Sequence, residues 1–445
     1  MFRDPVPGLI ERTTESLWAE FARLPEFTVN SDVTAMTRVL DETARRLADN
    51  YPYFHPLYAG QMLKPPHPVA RAAYALGMAI NPNNHARDGG RASSEMEIEA
   101  VREIAAMFGW SEYLGHLTSS GTLANLEALW VVGQLAPGRR VVGSAQAHYT
   151  HQRISAVLKL EFAPVAADAG GRMSLDALEA ELRKGDVGTV VVTLGTTATG
   201  SVDPLDRILE LRQQHGFRVH VDAAYGGYFK LIADALDESA RRAYGALEQA
   251  DSIVVDPHKH GLQPYGCGCV LFRDPAAGRF YKHDSPYTYF TSKELHLGEI
   301  SLECSRAGAA AIALWATQRL LPLVPEGEFA RGLKQSRSAA LAFNRRLRSE
   351  ERFVPMAASA PELDIVVWAM RAEDGQASSR RAQEVFDLCA GLDLHLALAQ
   401  LPRSWFLPQA EPSEMLTCLR SVLMKPEHAA WMDKIWDRLV AASAS

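Results

Sequence analysis

A chain of 445 residues is longer than one hydrophobic core usually serves, so one large domain with smaller attachments is expected. Apolar residues make up 47% and charged residues 22%, and 46 basic against 53 acidic side chains leave a net charge of −7. That balance offers no basic footprint for nucleic acid, and no apolar run is long enough to span a bilayer. The opening Met1-Phe-Arg-Asp-Pro-Val-Pro-Gly8 lacks the apolar centre of a secretory signal. Cys267, Cys269, Cys304, Cys389 and Cys418 are odd in number and scattered, which reads as reduced thiols in a cytoplasmic protein.

Residues 1–65 hold two amphipathic helical stretches, one over 32–47, and then Tyr51-Pro-Tyr-Phe-His-Pro-Leu-Tyr58. Such a segment has little core of its own and is expected to pack on another part of the fold or on a second subunit. A helix over 94–108 is expected to start with Ser94 as cap and an acidic first turn. From about 115 to 275, β-rich runs at 140–143, 189–194, 218–221 and 252–255 alternate with helical patterns such as 174–184 and 204–215. This is the rhythm of an α/β fold with a mainly parallel sheet, whose ligands sit beyond the carboxyl ends of the strands. Cys267 and Cys269 alternate with glycine, which places both on one face of a strand as small core residues. An apolar helix over 306–321 closes this region. Beyond about 330, strands at 363–368 and 415–420 between helices predict an α+β unit. The expected organisation is therefore an N-terminal segment (1–65), a large α/β domain (66–325) and a small C-terminal domain (326–445).

The chemistry gathers at the strand ends. Lys259 follows the run 252–255 in Asp256-Pro-His258-Lys259-His260, and Asp222 follows the run 218–221. An amine and a carboxylate on neighbouring strand ends can grip the two ends of an aromatic aldehyde cofactor, the lysine as a Schiff base and the carboxylate on a pyridinium proton. An isolated lysine would more simply snorkel to solvent, and Asp222 alone would serve as a helix cap. Ser120, Gly121 and Thr122 precede an amphipathic helix, a place where backbone N–H groups receive phosphate or where Ser/Thr merely caps. His148 follows the run 140–143 and suits stacking on a ring; with His151 it could instead form a metal pair, but no acidic or cysteine partner stands nearby, so no metal is expected. Thr193-Leu-Gly-Thr196-Thr197 ends another strand with hydroxyls, one of which could reach the cofactor's ring oxygen. The implied cofactor is pyridoxal 5′-phosphate.

Gly121-Thr-Leu-Ala-Asn125, Ala147-His148-Tyr149, Thr193-Leu-Gly-Thr-Thr197, His220-Val-Asp-Ala-Ala224, Asp256-Pro-His-Lys259 and Leu302-Glu-Cys-Ser-Arg306 resemble, in order and spacing, the fold-type I, group II pyridoxal phosphate decarboxylases. That family acts on aromatic amino acids, glutamate, aspartate, cysteine sulfinate and histidine. The resemblance implies Lys259 as the Schiff-base lysine, Asp222 as partner of the pyridine nitrogen and His148 as the stacking ring. It implies Thr196 and Ala224 along the cofactor, and Ser120, Gly121, Thr122, Asp256 and His258 around its phosphate side. It further implies Arg306 on the substrate α-carboxylate and Tyr289, or else Tyr287, as the proton donor. The expected reaction is α-decarboxylation of an L-amino acid; aminotransfer, carbon–carbon lysis or a silent cofactor-binding scaffold are the alternatives. An acidic substrate would need a second cation, for which Lys64 and His85 stand in a stretch that borders the family's site. An aromatic one would use Tyr53, Phe54 and Tyr58, and is favoured. A homodimer with its site at the subunit interface is expected.

Overall fold

The computed structural model describes residues 4–282, 296–357, 360–411 and 413–444. Runs of valine, isoleucine and leucine bounded by glycine and polar turns form strands β1 (Leu114–Thr118), β2 (Arg140–Ser144), β3 (Phe162–Val165), β4 (Val187–Thr193), β5 (Arg218–Asp222), β6 (Ser252–Val255) and β7 (Gly268–Phe272). Among the described residues these make one seven-stranded sheet in the order β1-β7-β6-β5-β4-β2-β3. β3, β2, β4, β5 and β6 are parallel neighbours, while β7 runs antiparallel to both β6 and β1. The sheet is thus mixed, with one reversed strand. Every residue of β2, β4, β6 and β7 is buried, as expected for strands covered by helices on both faces. Cys267 and Cys269 pack in the core beneath this sheet.

Helix boundaries follow capping chemistry where it is free to act. Asp32 caps the helix Val33–Leu47 by accepting from Ala35 N (2.9 Å), and Ser174 caps Leu175–Leu182 through Ala177 N. Ser94 does not cap. The helix begins earlier, spanning Arg91–Met107 with Gly90 at its N-cap and no acid in its first turn. Burial explains the difference: Asn84 bonds both Ser93 Oγ (2.5 Å) and Glu97 Oε2 (2.7 Å), so tertiary partners draw this stretch inward as helix interior.

A second sheet is built from β8 (Phe353–Pro355), β9 (Ile365–Met370), β10 (Ala397–Pro402) and β11 (Met415–Val422), ordered β10-β11-β9-β8 with all neighbours antiparallel. Helices Glu328–Arg348, Gly375–Gly391 and His428–Ser443 supply its core, in which Phe343 meets Trp368 edge-on at 5.3 Å. Leu57 and Ala59 join the same core, and Ala59 N donates to His395 O (2.9 Å). One helix before them behaves differently. The helix Val33–Leu47 buries no residue, leaving Val33, Met36, Val39, Leu40 and Leu47 in solvent.

Two carboxylates lie near the joint between the sheets. Glu362 Oε2 accepts from Val202 N (2.7 Å), and Asp203 accepts from Met173 N (2.7 Å) and Thr193 N (2.8 Å). Burial pushes both carboxyls up to about 7. A folded-state value above the unfolded one gives stability that is complete at low pH and lost as pH rises through about 7. Urea denaturation from pH 6 to pH 8 should therefore show falling stability. Glu362→Gln, which cannot ionise, should make that fall smaller by on the order of 1 kcal/mol.

Candidate active site

The carboxyl ends of β4, β5 and β6 open into one cavity of about 180 Å³. Lys259 reaches it from the turn after β6, where Lys259 N donates to Asp256 O (2.9 Å) and His258 N to Cys267 O (3.1 Å). The turn is tight because Gly261 lies against its own chain; a Cβ there would fall 2.5 Å from Pro257 Cα. Lys259 Nζ is 3.0 Å from Asp256 Oδ2, and His258 Nε2 is 3.5 Å from the same oxygen.

Asp222 ends β5 and is buried in the same cavity. Its Oδ2 accepts from His151 Nε2 (2.8 Å) and Asn125 Nδ2 (3.3 Å), and its Oδ1 from Ala224 N (3.0 Å). Asn125 is itself oriented, because its Oδ1 accepts from His220 Nε2 (2.8 Å) while His220 Nδ1 accepts from Ser252 Oγ (2.8 Å). Burial, helped by the nearby His151, lowers His220 to about 3 and keeps it neutral. Burial works to protonate Asp222, but the His151 bond, the charges of His151 and Lys259 and the Ala224 N–H together outweigh it. The carboxyl is held well below the usual carboxylate range.

The helix Gly121–Leu135 points its N-terminus at the cavity, with Ser120 as N-cap accepting from Leu123 N (3.2 Å). Glycine at its first position leaves room for Asp256: a Cβ on Gly121 would sit 2.5 Å from both of its oxygens and push that carboxylate aside. His148 lines the cavity just before the helix Thr150–Leu158, its Nδ1 accepting from Thr150 Oγ1 (2.8 Å). Burial lowers its pKa, which favours a neutral ring suited to stacking. Ala224 leaves a flat, small surface beside Asp222.

Ser120, Gly121, Thr122, His148, Asp222, Ala224, Asp256, His258 and Lys259 thus meet around one space, and other expected residues do not. Thr196 turns away, its hydroxyl bonded to Thr199 Oγ1 (2.7 Å) and accepting from Ser201 N (3.1 Å); Thr193 and Thr197 line the cavity in its place. Arg306 points inward, where Nη1 donates to the buried Glu97 (2.7 Å) and to Leu117 O. Only Nη1 is engaged there; Nε and Nη2 are buried without a protein partner among the described residues, and the side chain lies outside the cavity lining. Lys64 Nζ donates to Met424 O (3.4 Å) under the second sheet, and burial lowers it to about 8. His85 packs against Gly298 and accepts Gly298 N at its carbonyl, also outside the cavity lining. Tyr287 and Tyr289 lie outside the described residues. Asn125, His151 and His220 were not foreseen as part of the site. The signal for Asn125 is its spacing of four from Gly121, which returns it to the same helix face.

These residues suit a flat anionic aldehyde. Lys259 would hold the aldehyde end, Asp222 the ring nitrogen, and the helix N-terminus with Ser120 and Thr122 the phosphate. The Thr193 hydroxyl, buried in the cavity wall with no protein partner among the described residues, offers one more polar contact. Fold and site together define a fold-type I enzyme framework built around pyridoxal phosphate. Residues 39–371 match the pyridoxal-dependent decarboxylase conserved domain, and the chain belongs to that family. It is 28% identical over 389 residues to an L-tyrosine decarboxylase of Enterococcus faecium, covering 65% of this chain and 64% of the relative. It is 32% identical over 262 residues to a probable L-tyrosine/L-aspartate decarboxylase of Methanoculleus marisnigri (58% and 68%). An L-2,4-diaminobutyrate decarboxylase of Rhizobium meliloti is 36% identical over 226 residues (47% and 44%). The chain therefore spans somewhat under two thirds of the Enterococcus faecium relative. Among solved structures, mouse CSAD in apo form superposes with a TM-score of 0.78 at 22% identity, covering 96% and 92% of the two chains. Oryza sativa TDC with PLP and tryptamine gives 0.78 at 16% identity (100% and 99%). At these identities the likeness is one of fold.

Borohydride reduction of the reconstituted protein should fix one pyridoxyl phosphate on the peptide that carries Lys259, read by mass spectrometry. Lys259→Ala should leave the chain unlabelled.

Proposed function

We propose that this chain is a pyridoxal phosphate-dependent decarboxylase that converts an L-amino acid, preferentially an aromatic one, to its amine and CO2. The observation that carries this is the pairing of Lys259 and a buried, ionised Asp222 in one cavity beyond the strand ends. The bound cofactor supplies the electron sink for the pair left behind when the α-carboxylate departs. The protein's part is orientation and fixed charge. Asp222, held by its three donors, keeps a proton on the ring nitrogen. Asp256, 3.0 Å from Lys259 Nζ, would steady the free Lys259 amine. The proton that replaces CO2 on Cα is assigned to Tyr289, with Tyr287 as the other choice.

The aromatic preference is supported by the names of the relatives in Enterococcus faecium and Methanoculleus marisnigri, both of which include tyrosine. One aromatic ring also touches a residue of the cavity wall: Tyr265 lies 4.8 Å from the His258 ring. The second name also includes aspartate, which keeps acidic substrates within the assay. The working unit is proposed to be a homodimer, because the helix Val33–Leu47 carries an uncovered apolar face that a second subunit would bury. A cytoplasmic location accords with cysteines that form no disulfide among the described residues. Among the described residues no helix is long and apolar enough to cross a membrane.

A panel of L-amino acids assayed for CO2 and amine should give the highest kcat/KM with an aromatic substrate. Keto acid and pyridoxamine phosphate in place of CO2 and amine would make the chain an aminotransferase. Tyr289→Phe should lower amine formation about 10²- to 10⁴-fold, the usual worth of a general acid, with cofactor binding unchanged. Sedimentation velocity should find a dimer, and a fully active monomer would contradict the proposed assembly.

A further inference from the structure

His151 enters the scheme above only as one of three donors to Asp222, with no role of its own, yet it touches the group on which that scheme depends. It lies in the first turn of the helix Thr150–Leu158, fully buried, with Nε2 2.8 Å from Asp222 Oδ2. An ionised carboxylate only accepts, so Nε2 carries the hydrogen of this bond. His151 Nδ1 is buried with no protein partner among the described residues. The imidazole is therefore anchored at one nitrogen, and its anchor is Asp222.

A carboxylate has about four acceptor positions. His151 and Asn125 use Oδ2, Ala224 N uses one position on Oδ1, and one remains for a ring N–H. The three donors are not equal. Asn125 gives a neutral amide at 3.3 Å and Ala224 a backbone N–H, whereas His151 makes the shortest bond and the largest contribution favouring the ionised form. His220 acts at one remove, through Asn125. Without His151, burial would act on a carboxylate held only by weak neutral donors, and Asp222 would tend to take up a proton. A protonated Asp222 would donate toward the ring nitrogen instead of accepting from it. The ring would then stay a neutral pyridine and a poor electron sink.

We propose that His151 is a positioning residue for the cofactor's ring nitrogen: its Nε2–H fixes Asp222 as an ionised acceptor of single orientation, so that the bound ring is held protonated. This rests on the assignment of the cavity to pyridoxal phosphate with Asp222 at the ring nitrogen, and adds the side chain that decides the state of that carboxylate.

The test is reconstitution with pyridoxal phosphate labelled with ¹⁵N at the ring nitrogen, read by NMR beside a cofactor-binding titration. Wild-type protein should show the nitrogen at the pyridinium position. His151→Phe keeps a ring of similar shape and removes the donor. It should move the signal toward neutral pyridine and weaken cofactor binding about tenfold to a hundredfold, the worth of one charge-assisted hydrogen bond. His151→Gln restores an N–H and should return most of the pyridinium signal. A His151→Phe protein with the wild-type signal and affinity overturns the role of His151 alone. Wild-type protein that takes up no cofactor overturns the cofactor assignment as well. Should His151→Phe not fold, wild-type protein labelled with ¹⁵N-histidine decides: Nε2–H on His151 supports the proposal, and a bare Nε2 overturns it.

Discussion

A carboxylate taken out of water must be held by donors or it protonates, and Asp222 is buried at the end of β5 under that constraint. Its donors come from three places in the sequence: Asn125 from the helix after β1, His151 from the helix after β2, and Ala224 from its own turn. The register of the sheet supports them. His220 pairs with Ser252 across β5 and β6, which sets the Ser252 hydroxyl on His220 Nδ1, and His220 in turn fixes which end of Asn125 faces Asp222. A slip of one residue in either strand would turn these side chains to the other face and leave the carboxylate without its support.

Close backbone approach is the second requirement. Gly121 lets a helix N-terminus come up to Asp256, and Gly226 passes so near Leu194 that a Cβ would lie 2.3 Å from its carbonyl oxygen. The second sheet stiffens the same region from behind. Asp364 accepts from Tyr225 Oη (2.5 Å) and sits 3.3 Å from His260, the residue after Lys259. Arg420 on β11 donates to Thr197 O (2.6 Å) and Ala198 O (3.1 Å), clamping the turn that lines the cavity. The small C-terminal unit thus contributes to the shape of a site whose named groups all lie between β1 and β7 in the chain.

Strands β2, β4, β5 and β6 are legible because buried parallel strands need uninterrupted β-branched runs, and Lys259 and Asp222 stand out as charges at the ends of such runs; β1, with Gly115 and His116, and β3, with Pro164, carry no such run. The short strands β8 and β10 gave no comparable signal: one is three residues long and the other carries glutamine and proline. The resemblance puts Thr196 along the cofactor, but Gly195 has φ of 93° and the chain turns there, which hands the lining to Thr197. Arg306 comes to the substrate carboxylate through the resemblance alone, and its ion-pair partner, Glu97, is more than two hundred residues away in sequence. His151 enters the sequence reading only as half of a metal pair with His148 that is set aside, and nothing local shows that its partner is Asp222. Contacts between distant elements are what a pattern of residues does not display.

The most direct test of the central claim is a structure of the protein reconstituted with pyridoxal phosphate. The cofactor should be bonded to Lys259 Nζ, with its ring nitrogen within hydrogen-bond distance of Asp222 Oδ1 and its phosphate at the start of the helix Gly121–Leu135. A cofactor bound to another lysine, or one whose ring nitrogen faces away from Asp222, would contradict it.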